Sequence, residues 1–142
     1  MFSNQIRKAY KQTFPGLSEE AIETYTPVLA ENHPEVWQSF LQKYYFGLKP
    51  TAIIVNTIGH LICVYSFCAQ HGLRIPEDFS VVCEEDVPEI AWFSPLPCRM
   101  QYPYDKQQRH FLKWVKSDCT WLNDVRFPMK WVEGKTVAEL RK

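Results

Sequence analysis

Residues 51–83, TAIIVNTIGHLICVYSFCAQHGLRIPEDFSVVC, decide the fold of this chain. The segment begins and ends with short apolar runs, at 51–55 and 79–83, which are typical of buried parallel strands. Between them the pattern predicts a helix over about 58–71 that ends at Gly72. A strand, a helix and a second strand form a βαβ unit, which implies a parallel sheet with helices packed on it.

Outward from this unit the pattern predicts three further helices, over residues 3–14, from His33-Pro34 to about Gly47, and over 104–117. Residues 22–29 alternate in polarity and predict a strand, in which Pro27 indicates an edge or an end. Residues 87–103 contain four prolines, too many for a helix or a central strand. A final short strand is predicted within 127–133. The expected fold is α/β, a mainly parallel sheet flanked by helices.

The composition is that of a soluble globular protein and gives no sign of a nucleic-acid binder. The 142 residues fit a single domain over 1–142, with 46% hydrophobic and 23% charged residues. Lys and Arg number 16, as do Asp and Glu, so there is no basic excess to neutralise phosphates, and we do not expect the chain to bind DNA by itself.

The sequence favours a cytoplasmic protein with free thiols. The N-terminus has no signal-peptide pattern, and polar residues and a glycine interrupt the longest apolar run, at 58–69. The five cysteines are odd in number and lack a paired CxxC spacing, which favours free thiols in a reducing compartment.

Two segments at a fixed distance, PTAIIV at 50–55 and GLRIPEDFSVV at 72–82, resemble a known family. They are similar to the effector domain of the lactose/galactose repressor family of bacterial transcription regulators, which itself resembles type I periplasmic sugar-binding proteins. Looser similarities follow at 94–96, at Gln101 to Asp105, and in WVEGKTV at 131–137. Residues 87–95, 110–115 and 131–137 also resemble a branch whose sensor is joined to a gluconate-repressor-type winged helix.

The resemblance implies that the chain is the C-terminal lobe of a two-lobed sensor. A sugar-like effector would bind between the lobes of a homodimer, and DNA would be bound only through a domain outside this chain, with no membrane involved. In the family, the segment matching about 95–117 crosses to the first lobe. The apolar residues Leu112, Trp114 and Val115 would then need another partner, so we expect self-association or packing onto the chain's own lobe.

The candidate ligand-binding residues are Asn56, Glu85, Asp86, Gln101, Arg7 and Trp92. In parallel α/β sheets, ligands bind at the carboxyl ends of the strands. Asn56 follows the first predicted strand, and Glu84, Glu85 and Asp86 follow the second. Their carboxylates and amides suit hydrogen bonds to sugar hydroxyls.

The resemblance adds the other candidates and also shows departures. Gln101 falls on a position that often faces the ligand in the family, whereas the ligand-holding arginine of the family falls next to Arg7. The usual Asn-Asp pair is replaced by Thr57-Ile58, and the Gly-aromatic-Asp-Asp motif by the residues from Cys83 to Asp86.

Each candidate also has a purely structural interpretation. Asn56 could cap the helix that begins near 58, with odds about even against ligand contact. The run from Glu84 to Asp86 could be a solvated loop. Trp92 could stack on a sugar ring, but a place in the core is favoured. Arg7 fits an ordinary surface helix residue.

No enzymatic motif supports catalysis, and we expect no catalytic residues, no cofactor and no metal site. The sequence contains no GxSxG, HExxH, P-loop or GxGxxG pattern. His60 and Cys63 are three residues apart on one predicted helix, a spacing that could bring a base near a thiol, but buried structural roles are favoured. Only an exposed Cys63 with a low pKa would favour a thiol enzyme. The main alternative to a sensor is a degenerate lobe that serves as a dimerisation or interaction module without ligand.

Overall fold

In the computed structural model, which describes residues 2–27, 33–120 and 125–139, helices and strands alternate along the chain. The chain divides into two units, residues 1–36 and 37–142. The elements are α1 (Phe2–Thr13), α2 (Glu19–Tyr25), α3 (Pro34–Leu48), β1 (Ala52–Val55), α4 (Ile58–His71), β2 (Ser80–Cys83), a 3-10 helix (Pro88–Trp92), β3 (Cys98–Gln101), α5 (Tyr104–Lys116) and β4 (Lys130–Val132).

The strands form one sheet in the order β1-β2-β3-β4. β1 and β2 are parallel, with Val55 opposite Cys83, and β2 and β3 are parallel, with Val82 opposite Cys98. β4 runs antiparallel to β3. The predicted α/β fold with a mainly parallel sheet is therefore confirmed, including the βαβ unit made of β1, α4 and β2.

The core of the second unit lies between α4 and one face of the sheet. Leu61, Val64 and Phe67 of α4 are at most 1% exposed, and they share one cluster with Val55 and Val81 of the strands. Burying a side chain such as Phe67 contributes about 1.5–3 kcal/mol relative to leaving it in water. This packing explains why the apolar middle of the sequence determines the architecture.

The prediction of a strand over 22–29 is wrong, because α2 covers residues 19–25 in the first unit. Ser18 caps this helix, and its hydroxyl accepts a hydrogen bond from the Ala21 backbone N–H at 3.1 Å. The hydroxyls of Thr24 and Thr26 donate to backbone carbonyls four residues earlier, at 2.9 and 2.7 Å. The alternating polar residues therefore fit a helix, since the threonine hydroxyls form hydrogen bonds with carbonyls of the same helix.

The prediction that 87–103 excludes a central strand is also wrong, because β3 lies between β2 and β4. The prolines flank β3 without entering it, so its backbone can pair on both sides. β3 falls inside the segment predicted to cross to a first lobe, yet it belongs to this sheet. The crossing itself stays a prediction.

The tail at 134–138 joins β2 to β3 beside the point where these strands pair. Thr136 is fully buried, and its hydroxyl donates to Val81 O at 2.5 Å while accepting from Cys98 N at 2.8 Å. Gly134 passes so close to Pro97 that a Cβ on it would lie 2.3 Å from the Pro97 carbonyl carbon. These contacts fix the tail against β2 and β3.

α5 contrasts with the core, since none of its described residues is buried. Phe111, Leu112 and Val115 form an apolar stripe, with exposed fractions of 57%, 55% and 46%. The expectation that Leu112 and Val115 pack onto their own lobe is therefore wrong. Self-association through this helix stays a prediction.

Candidate functional site

The carboxyl ends of β1, β2 and β3 meet at one edge of the sheet, because these three strands run parallel. Asn56 follows β1, the residues from Glu84 to Asp86 follow β2, and Gln101 ends β3. Asn56 Nδ2 donates a hydrogen bond to Glu84 Oε2 at 2.7 Å. Four of the six predicted site residues, Asn56, Glu85, Asp86 and Gln101, are thus brought to one edge.

Asp86 organises the β3 side of this edge. Its Oδ1 accepts a hydrogen bond from Arg99 Nε at 2.5 Å, and its Oδ2 accepts one from Gln101 Nε2 at 2.9 Å. The side chains of Asp86 and Arg99 are only 16% and 19% exposed, so this ion pair is largely shielded from water. The pair fixes the loop after β2 against the end of β3.

Glu85 connects the same edge to the first turn of α4. Its Oε2 accepts a hydrogen bond from the Ile58 backbone N–H at 2.7 Å, where a carboxylate also interacts favourably with the helix dipole. Thr57 is the N-cap, and its hydroxyl accepts from His60 N at 3.4 Å. The interpretation of Asn56 as the cap of α4 is therefore wrong.

The run from Glu84 to Asp86 is half-buried, so it is not simply a solvated loop. Burial raises the pKa of Glu84, and the hydrogen bond from Asn56 lowers it in part. Partial burial therefore disfavours the charged form of Glu84, and the hydrogen bond from Asn56 offsets part of that cost.

An aromatic pair beside this edge was missed by the sequence argument. Burial, then the charge of Glu84, raises the pKa of Tyr102, with smaller contributions from Tyr104 and Glu85. The Tyr102 and Tyr104 ring centroids are 5.9 Å apart, and Tyr104 is 50% exposed. The sequence signal is Tyr-Pro-Tyr directly after β3, but this signal indicates a site only when β3 is known to end at the carboxyl edge.

The two remaining predicted residues lie outside this group. Trp92 is 88% exposed, so the favoured interpretation of a core tryptophan is wrong. Arg7 lies on α1 in the first unit, where its Nη1 is 3.6 Å from Glu23 Oε1. A ligand-binding role for either residue stays a prediction.

The condition that would favour a thiol enzyme is not met. Cys63 is 7% exposed, and burial raises the pKa of its thiol, which disfavours the nucleophilic thiolate. Burial also lowers the pKa of His60, whose ring stacks on Trp37 with centroids 4.1 Å apart. Cys63 is thus buried as predicted, whereas His60 is only partly buried.

All five cysteines are free thiols, which confirms the prediction, and Cys119 alone is exposed. Among the residues that the structure describes, no three His, Cys, Asp or Glu side chains are grouped in a way that would hold a metal ion. No helix in the described ranges is both long and apolar enough to cross a membrane.

The family model of the periplasmic binding protein-like domain matches residues 2–119. The chain belongs to this family. The predicted resemblance is thereby confirmed, together with the type of fold that it implies. No curated protein matches the chain. The fusion to a winged helix stays a prediction.

Solved structures share the fold of this periplasmic binding protein-like domain at low sequence identity. A LacI family transcriptional regulator from Bifidobacterium animalis subsp. lactis is 20% identical, with a TM-score of 0.67, over 76% of this chain and 41% of that one. The transcription regulator CcpA of Lactococcus lactis is 15% identical, with a TM-score of 0.68, over 93% and 48%.

A third similar structure is a LacI family transcriptional regulator from Enterococcus faecium with bound ribose, 13% identical, with a TM-score of 0.66, over 87% of this chain and 50% of that one. The chain thus spans half or less of the length of these three proteins.

Proposed function

We propose that this chain is the effector-sensing part of a bacterial transcription regulator and not an enzyme. Asn56, Glu85, Asp86 and Gln101 form one wall of its ligand site. The observation that carries the proposal is their convergence at the carboxyl edge of three neighbouring parallel strands, where α/β folds bind ligands. Membership of the periplasmic binding protein-like family supports the same location.

The chemistry of this edge suits a sugar or a sugar derivative. Carboxylates accept several hydrogen bonds, and each amide has two N–H donors and an oxygen acceptor. Asn56 and Gln101 each use one N–H within the network and are exposed, so they retain capacity for the hydroxyl groups of a ligand. The similar regulator from Enterococcus faecium carries bound ribose, which supports a small polyol as the class of effector.

The proposed regulator acts as a homodimer in the cytoplasm, and DNA is bound through a domain outside this chain. The balanced charge of the chain supports this division of labour, since a DNA-reading surface normally carries excess Lys and Arg. Effector binding and DNA binding would then be coupled, because the effector favours one state of the assembly and DNA favours another.

The proposal is tested by titrating the nitrogen-15-labelled chain with ribose and following side-chain amide signals by NMR. Since a single wall of a cleft binds weakly, we expect a Kd of about 1 mM or weaker. The amides of Asn56 and Gln101 should shift together along one binding curve. Gln70 is the internal control, because it lies in the last turn of α4, whereas the first turn of that helix lies at the carboxyl edge.

A matched pair of variants sharpens this titration. Gln101→Ala should weaken the response of Asn56, because it removes a donor from the shared site, whereas Gln70→Ala should leave that response unchanged. Ribose and other monosaccharides that move none of these amides, or move Gln70 as much as Asn56, would contradict a sensing role for this edge.

A second candidate function is an interaction module that needs no ligand. Two large apolar side chains, Ile62 and Trp92, are 54% and 88% exposed. Ile62 lies one turn before Tyr65 on α4 and Trp92 directly precedes Phe93, and the rings of Tyr65 and Phe93 are in contact with centroids 5.0 Å apart. Sedimentation that shows a dimer of the wild-type chain and a monomer of Trp92→Ala, together with no sugar response, would favour this function.

A further inference from the structure

The proposed ligand edge carries more negative than positive charge. Glu84, Glu85 and Asp86 follow one another in the sequence, against Arg99 within the network and Lys130 opposite Gln101 on β4. Arg99 is paired with Asp86, whereas the partners of Glu84 and Glu85 are an amide and a backbone N–H. Glu84 and Glu85 therefore accept hydrogen bonds from neutral donors, while Lys130, which lies opposite Gln101 in the sheet, and His60, on which the charge of Glu85 acts, are further basic residues near this edge.

The first turn of α4 would normally favour an anion, because its backbone N–H groups and the helix dipole attract negative charge. In this chain the Glu85 carboxylate accepts from the Ile58 N–H at 2.7 Å and occupies that place. A phosphate or carboxylate of a ligand would have to displace Glu85 and would also meet Glu84. The Glu85 carboxylate thus already occupies the anion-binding position at the first turn of α4.

The aromatic pair adds an independent preference for positive charge. The rings of Tyr102 and Tyr104 lie 5.9 Å apart directly after β3, and Tyr102 lies within electrostatic range of Glu84 and Glu85. The faces of aromatic rings attract ammonium groups, and recognition of amines commonly combines such rings with carboxylates. Gln101 and Asn56 remain available for hydroxyl groups at the same edge.

We propose that the effector of this chain is a small polar molecule that carries a protonated amine, an amino sugar or amino alcohol, and that Glu84 and Glu85 select it over neutral and anionic analogues. This inference rests on the proposed function, since it names the charge class of the ligand for the same site. Asn56 and Gln101 bind its hydroxyl groups, while the two glutamates and the tyrosine pair hold its ammonium group.

The test compares three hexoses of the same shape and different charge. Glucosamine, glucose and glucose 6-phosphate are titrated into the labelled chain in neutral buffer, where most of the amine is protonated and the carboxylates are not titrated by added acid. The amides of Asn56 and Gln101 report binding. Two partly exposed ion pairs should make glucosamine bind about three- to tenfold more tightly than glucose. Glucose 6-phosphate should bind more weakly than glucose, and added salt should reduce both differences.

Conservative variants assign the selectivity to named residues. Glu85→Gln keeps an oxygen that can accept from the Ile58 N–H but removes the charge, so it should lower the preference for glucosamine about threefold without unfolding α4. Glu84→Gln should act in the same direction. Glu77→Gln is the control, because this exposed carboxylate precedes β2 and lies at the opposite edge of the sheet.

Two outcomes would overturn the inference in distinguishable ways. If glucose or glucose 6-phosphate shifts the Asn56 and Gln101 amides at concentrations as low as glucosamine does, the charge selectivity is wrong but the sensing site stands. If none of the three sugars moves these amides, both the selectivity and the sensing site of this edge are contradicted.

Discussion

α4 and α5 are helices of nearly the same length, 14 and 13 residues, yet they have opposite environments. α4 buries five side chains against the sheet, whereas none of the described residues of α5 is buried. Both have apolar positions at helical spacing. The comparison teaches that periodicity predicts a helix and its apolar face, but does not predict whether a partner covers that face.

The largest expected effect comes from truncating one apolar residue in each helix. Phe67 is 1% exposed and contacts the ring of Tyr45, with centroids 5.7 Å apart, so Phe67→Ala should lower the free energy of unfolding by about 3–5 kcal/mol. Leu112 is 55% exposed, and Leu112→Ala should change it by about 0.5 kcal/mol or less. Urea denaturation followed by circular dichroism measures both.

Similar losses from the two variants would contradict the contrast between the helices. A large loss from Leu112→Ala alone, dependent on protein concentration, would instead mean that α5 is covered by a second copy of the chain. The same denaturation series, run at two protein concentrations, therefore also tests the predicted self-association.

The βαβ unit could be predicted because its signals are local. Two apolar runs, a helix of matching period and the stop at Gly72 locate β1, α4 and β2 within a residue of their observed bounds. β3 could not be predicted in this way, since its pairing depends on Thr136, 38 residues beyond Cys98. α2 was predicted as a strand because polarity alternates over 22–29, and the Ser18 cap that begins the helix did not enter that prediction.

The candidate site follows the same division. Asn56, Glu85 and Asp86 were predicted because they follow recognisable strands, and parallel strands bring their ends together. Arg99 and Tyr102 were missed, since both depend on β3. Trp92 was placed in the core because buried tryptophans are common, but its exposure is decided by how the whole crossover from β2 to β3 packs.

A smaller effect on the free energy of unfolding is expected when a buried threonine hydroxyl in the tail and an exposed one beyond α5 are removed. Thr136→Val keeps the shape but leaves Val81 O and Cys98 N without their partner, which should cost about 1–3 kcal/mol. Thr120, just beyond α5, is exposed, and its hydroxyl donates to Ser117 O at 2.6 Å. Thr120→Val should cost about 0.5 kcal/mol or less. Equal costs, again by urea denaturation, would show that the tail does not join β2 to β3 in solution.

The smallest effects are expected at the ends of the two helices, where their signs should be opposite. α4 ends at Gly72 with φ of 66°, and Leu73 N donates to Cys68 O at 2.8 Å. Gly72→Ala adds a Cβ in the left-handed region and should cost about 1 kcal/mol, although nothing lies within 4 Å of it. Beyond α5, Cys119 has φ of 58° without being glycine.

Cys119→Gly should therefore relieve backbone strain at the end of α5. Glycine also makes the unfolded chain more flexible, which offsets part of this gain, so the net stabilisation should be about 0.5 kcal/mol or less. Thermal unfolding of the two glycine-related variants beside the wild type measures the difference. If both variants destabilise, Cys119 does not occupy a left-handed conformation in solution, and α5 ends differently. If both leave stability unchanged, the end of α4 is not fixed by its glycine, and its position must be set by the packing of Phe67 and its neighbours alone.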